Sequence, residues 1–213
     1  MLEWLSANEQ WISPATSIGT LLVWMFYAQL LYSGYSRQTR PRLLINRGVG
    51  EEGLDSPCLI CNMSREAIYV YFIMVRLETS DHSEFVPVTD CDHRPGSELP
   101  ERLSARTRQG PLDPGHCLEL FSFRTTLERA ARFAGIELHN VLPADPDLEL
   151  RALEYHVICI YGSDDSPFGA VRRFNVKKGD NGQLSLVAAR TDTQRKTSWL
   201  YKRKIHQWLQ QHV

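Results

Sequence analysis

Ile18-Gly19-Thr20-Leu21-Leu22-Val23-Trp24-Met25-Phe26-Tyr27-Ala28-Gln29-Leu30-Leu31-Tyr32 is the most apolar run of this 213-residue chain, and no Asp, Glu, Lys or Arg occurs from Gln10 to Ser36. Extended back through Ala15 and Ile12, it reaches the roughly 20 residues that a helix needs to cross a bilayer. The sequence therefore predicts a single transmembrane helix over residues 11–36, behind a short tail of residues 1–10. A cleaved secretory signal would need a basic segment before the run and small residues at a cleavage site after it. Instead Glu3 and Glu9 precede it, and Tyr32, Tyr35, Arg37, Arg40, Arg42 and Arg47 follow. Basic flanks stay on the cytoplasmic side, so the expected placement is a cell inner membrane with the N-terminus outside and the C-terminal domain cytoplasmic. Trp4, Trp11, Tyr32 and Tyr35 at the two ends fit aromatic belts at headgroup level.

At 100° per residue the polar positions of this helix fall on two faces. Ser13, Thr16, Ser17 and Thr20 share one face of the outer half, and Gln29, Ser33 and Ser36 lie opposite in the inner half. Ala15 and Gly19 add a small-xxx-small pair that lets helices approach closely. Ser13, Ala15, Ser17, Gly19, Thr20 and Gln29 are thus the expected association residues, for a homo-oligomer or another membrane protein. The competing reading is that the hydroxyls bond back to their own helix.

The formal net charge of −1 hides a segregation. Residues 37–47 hold four Arg and no acid; residues 190–213 hold Arg190, Arg195, Lys196, Lys202, Arg203 and Lys204 against Asp192 alone; between them, acids outnumber bases 22 to 14. Domain termini often lie close together, so Arg37, Arg40, Arg42 and Arg47 with Lys202, Arg203 and Lys204 are expected on one anionic lipid surface. Nucleic acid is not an expected partner.

After residues 37–47, about 165 residues suffice for one hydrophobic core. Short runs rich in β-branched and aromatic residues recur with turn residues between them: Leu43 to Ile45, Pro57 to Asn62, Ala67 to Leu77, Phe85 to Val88, His116 to Phe123, Leu148 to Tyr161, Val171 to Val176 and Leu184 to Val187. Ser163 to Gly169 reads as a hairpin connection. Seven or eight such strands with little helix predict a mainly β domain over residues 48–197, and the pattern resembles an immunoglobulin-like two-sheet sandwich. Thr125 to Phe133, stopped at Gly135, predicts a short helix covering one edge. Residues 198–213 predict a basic amphipathic helix with Tyr201, Ile205, Trp208, Leu209 and His212 on one stripe. That stripe suits either a membrane interface or the sandwich itself.

Cys58, Cys61, Cys91, Cys117 and Cys159 are odd in number and without repeated spacing, which argues against a disulfide framework and for buried apolar cysteines in a reducing cytoplasm. Cys58 and Cys61 lie three apart within a predicted strand, pointing to opposite faces, so a zinc site with Cys91 and His93 is not expected. Asn62-Met63-Ser64 matches a glycosylation sequon that a cytoplasmic domain would not use. The chain lacks G-x-S-x-G, P-loop, G-x-G-x-x-G and H-E-x-x-H motifs, and its seven His are dispersed. No catalytic residue, metal or cofactor is expected, and the function indicated is binding. The Pro-rich segment from Asp90 to Gly115, with Arg94, Arg102, Arg106 and Arg108, is the candidate loop for an acidic or phosphorylated partner. The expected role is an accessory or regulatory subunit of a membrane assembly; the alternative is an oligomeric, ligand-sensing membrane effector that perturbs the bilayer.

Overall fold

The computed structural model describes residues 9–38, 40–48, 53–90, 107–162, 166–179 and 183–212. The chain divides into two compact units, Met1–Arg40 and Pro41–Val213.

The first unit is the helix α1, Glu9–Gln38. Thirty residues at about 1.5 Å each give roughly 45 Å. Its segment Ser13–Tyr35 is long and apolar enough to cross a membrane, and none of its most apolar window is buried within the chain.

The second unit is mainly β, and all its strand pairs are antiparallel. A three-stranded sheet runs β1 (Leu43–Arg47), β2 (Pro57–Asn62), β6 (Cys117–Ser122). A seven-stranded sheet is ordered β11 (Leu184–Ala188), β10 (Phe168–Lys178), β9 (Leu150–Tyr161), β3 (Ile68–Thr79), β4 (Ser83–Pro87). In addition β12 (Gln194–Lys196) pairs with β10, and β5 (Gly110–Leu112) with β3; β7 (Leu138–His139) and β8 (Leu142–Pro143) form a small hairpin. The inward residues of both large sheets belong to one hydrophobic cluster, including Ile45, Ile60 and Leu120 from the first and Ile73, Val75, Val157 and Phe174 from the second. Full burial of each such side chain contributes roughly 2 kcal/mol.

The run Tyr69 to Val75 does not alternate simply. Val70 pairs with Cys159 and Phe72 with Ile158, leaving Tyr71 as an extra residue. One extra residue reverses which parity faces inward. Ile68 and Val70 therefore point into the main core before the bulge, and Ile73, Val75 and Leu77 after it. Phe72 and Met74 are thrown to the outer face.

That outer face is covered by the C-terminal helix α3 (Trp199–His212). Ile205 is fully buried with Phe72, Met74 and Ile158, and Tyr201, Trp208 and Leu209 pack around them. The helix therefore belongs to the fold, and Tyr201, Ile205, Trp208 and Leu209 of its predicted stripe are used against the sheet, the His212 side chain lying outside the described residues.

The second helix, α2 (Phe123–Phe133), is more than an edge cover. Ser122 caps it by accepting the Thr125 N–H at 3.1 Å, and Gly135 ends it at φ +72°. Phe123, Thr126, Leu127, Ala130 and Ala131 form its buried face. Phe123 meets Tyr155 and Phe174 at ring-centroid distances of 5.7 and 4.9 Å.

The cysteine expectation is corrected. Cys61 and Cys117 form a disulfide, with Cα atoms 4.0 Å apart. They stand directly opposite each other on β2 and β6, a juxtaposition that comes from strand register and leaves no trace in their sequence spacing. Cys58 and Cys159 are free and buried as expected, and burial pushes both thiols well above the usual range. Cys58 and Cys61 do face opposite sides of β2. Asn62 is buried, and its amide nitrogen donates to the carbonyls of Glu66 (2.9 Å) and Leu112 (2.8 Å), so the sequon nitrogen is engaged.

Candidate functional site

Along α1, Ser17 Oγ donates to the Ser13 carbonyl at 3.0 Å and Thr20 Oγ1 to the Thr16 carbonyl at 2.8 Å. Both hydroxyl protons thus bond the helix itself. Close approach is offered on a different face, where Ala15 and Gly19 lie one turn apart and a β-carbon at Gly19 would meet nothing within 4 Å. Gln29 is exposed among apolar neighbours.

Within the second unit, Arg42 and Arg47 of the expected basic group stand at opposite ends of β1. Arg37 lies in the last turn of α1, its side chain outside the described residues, and Arg40 is exposed. Arg42 Nη2 lies 3.7 Å from Asp192 Oδ2 on the surface. Arg47 is at the opposite end of β1 from Arg42, with Nε donating to Ser56 Oγ at 2.9 Å. On α3, Arg203 and Lys204 are exposed and Lys202 is half-buried.

Of the arginine-rich segment, Arg94, Arg102 and Arg106 lie outside the described residues. Its base is formed by a bridge between Asp90 and Thr107. Arg108 stacks on Phe121 with Cζ 5.5 Å from the ring centroid, and Arg129 of α2 is also placed on that ring at 5.9 Å. Arg129 Nη1 donates to the Asp90 carbonyl at 2.6 Å. Beside Arg108, a groove of about 550 Å³ is lined by Tyr69, Val70, Thr107, Gln109 and Pro111. Arg129 carried no signal in the sequence, because only the fold brings α2 beside β6.

Beneath α3 lies a polar network that sequence reading missed. Tyr201 Oη lies 2.9 Å from His156 Nδ1, and His156 Nε2 lies 2.8 Å from Glu154 Oε1. Glu154 is held below the usual carboxylate range, chiefly by that bond from His156. Farther along the same face, Arg173 binds Glu78 through both terminal nitrogens and Arg76 Nη2 donates to it at 2.8 Å. These bonds, Arg173 foremost, draw the Glu78 carboxyl down to about 2. A carboxyl whose folded pKa lies below its unfolded value of 4.5 stabilises the fold above that value and loses the contribution as pH falls toward 2. Glu78→Gln should therefore flatten the fall in denaturation midpoint between about pH 4.5 and 2. An unaltered pH profile in the variant would show that the network adds nothing to stability.

Among the described residues no group of three or more His, Cys, Asp or Glu could hold a metal ion. The arrangement offers helix and sheet surfaces for binding, and the polar network positions α3. In comparisons with known proteins, the chain matches no protein family, no curated protein and no solved structure.

Proposed function

We propose that the protein is a single-pass membrane protein that presents an immunoglobulin-like two-sheet sandwich in the cytoplasm as a binding module, acting as an accessory or regulatory subunit of a membrane assembly. One observation carries the reading: a 30-residue helix with no burial in its most apolar window precedes a separate unit that has its own complete core. In water so large an apolar surface would drive aggregation; in a bilayer it is solvated. The four Arg of residues 37–47 support a cytoplasmic domain, since basic flanks favour that side. Two sheets sharing one core support the sandwich assignment.

A second reading is the oligomeric membrane effector whose domain senses a ligand. The groove beside Arg108 favours it, since a partly apolar wall with a guanidinium beside it suits an anionic ligand.

Purifying the full chain from membranes, crosslinking it and identifying what copurifies tests both. The accessory role predicts a stoichiometric membrane partner. Ser13→Leu, Ser17→Leu and Thr20→Leu together should lower crosslinking through α1 by roughly tenfold, as loss of close helix contact implies. A homo-oligomer that leaks ions, with no partner, would favour the effector. Recovery of the full chain from the soluble fraction would remove the premise of both.

A further inference from the structure

With the stripe of α3 occupied by the sheet, the two large apolar residues at the start of the helix are left uncovered. Trp199 is 70% exposed and Leu200 68%. Strand register shows where they are. Lys196 stands opposite Gly169, one residue from the start of β10, and the chain runs on past that end into α3. The same end of the large sheet holds the start of β3, where Ile68 faces Tyr161 and Leu112. It also holds the turn from β2 to β3, where the exposed Met63 donates its N–H to the Arg42 carbonyl at 2.9 Å. Pro41, the first residue of the unit, is therefore at this end, three positions after the last residue of α1. Among the described residues of this unit, the basic residues here include Arg42, Arg65, Arg195, Lys196 and Arg203, and the acids are Glu66, Asp113 and Asp192, the last beside Arg42. Arg203 lies over the Trp199 ring, Cζ 5.9 Å from its centroid. An exposed Trp-Leu pair rimmed by cations matches the chemistry of an anionic bilayer surface: indole and leucyl groups enter the headgroup layer while guanidinium groups meet phosphates.

We propose that this end of the domain rests on an anionic membrane surface, with Trp199 and Leu200 inserted and Arg195, Lys196 and Arg203 on the lipid phosphates. The proposal rests on the membrane reading of α1. It departs from the expectation drawn from sequence in two ways: the inserted residues are not those of the Tyr201/Ile205/Trp208 stripe, and Arg47, at the far end of β1, takes no part.

The test uses the full chain in nanodiscs of mixed phosphatidylglycerol and phosphatidylcholine, with a trace of phosphatidylcholine carrying a photoactivatable group near its headgroup. Adducts are then mapped by mass spectrometry. The expected result is adducts on Trp199 and Leu200 as well as on α1, falling about fivefold or more in pure phosphatidylcholine as the attraction of even one cation is lost. Trp199→Ser with Leu200→Ser should abolish the first set and leave the second. Adducts confined to α1 would overturn this proposal and leave the membrane reading standing. Absence of adducts from α1 would overturn both. Equal yields in neutral and anionic discs would overturn the role given to the basic residues.

Discussion

Reducing the Cys61–Cys117 bond, or replacing Cys61 with Ser, should lower the stability of the domain by about 4 kcal/mol, the chain-entropy value for the loop that its sequence separation of 56 closes. For a unit of this size that corresponds to a fall in Tm of roughly 10 °C. Cys117 is exposed and Cys61 half-buried, so a thiol reductant can reach the bond in the folded protein. Thermal denaturation of the purified full chain with and without reductant checks the effect; equal Tm values would show that the register of β2 and β6 is held without the covalent link. The same pair tests topology. Cytoplasmic thiols are kept reduced, so in cells quenched with acid and alkylated at once, both cysteines should carry the alkyl group, the bond forming only on oxidation after extraction. Recovery of the linked peptides from quenched cells would place the domain in an oxidising compartment and reverse the orientation argued from Arg37, Arg40, Arg42 and Arg47.

Features that depend on local pattern were legible in the sequence. The ends of β2, Pro57 and Asn62, coincide with the predicted run, and the hairpin between β9 and β10 falls within the predicted Ser163 to Gly169 connection, although β10 already begins at Phe168. Features that depend on register were not. The bulge at Tyr71 inverts the faces of β3, so an alternation count begun at Ile68 assigns Phe72 and Met74 to the wrong layer. The strands β5 and β12, three residues each, have too few side chains to show a period. The candidate surfaces behave alike. The Ser13, Ser17 and Thr20 face follows from helical geometry alone. By contrast Arg129 reaches Phe121, and Tyr201 reaches His156 across 45 positions, only through tertiary packing. The C-terminal stripe was visible, but a stripe states only that something covers it. Phe72, Met74 and Ile158 had first to be placed on an outer face.

The contact that fixes α3 to that face can be broken from the sheet side. Gly169, the second residue of β10, lies directly beneath Tyr201, where a β-carbon would sit 2.7 Å from both Cζ and Oη of the tyrosine. Its backbone is not in the left-handed region, so alanine is tolerated by the strand itself and any cost must come from the ring above. Gly169→Ala should displace Tyr201 and cost about 1 to 3 kcal/mol as overpacking, together with the bond from Tyr201 to His156, about 1 kcal/mol more. Tyr201→Phe should lose only the latter, and Tyr201→Ala should make Gly169→Ala nearly neutral, because the clash then has no partner. Amide exchange of residues 199–212 separates local release from global unfolding: Gly169→Ala should raise exchange in α3 while β9 stays protected. Additive effects of the two alanine changes would mean that Gly169 acts through the strand and that Tyr201 is not the residue pinning the helix. If α3 is released as expected, Ile205, Trp208 and Leu209 become exposed apolar surface on a basic helix, and the lipid adducts sought at Trp199 and Leu200 should spread along the stripe toward Leu209.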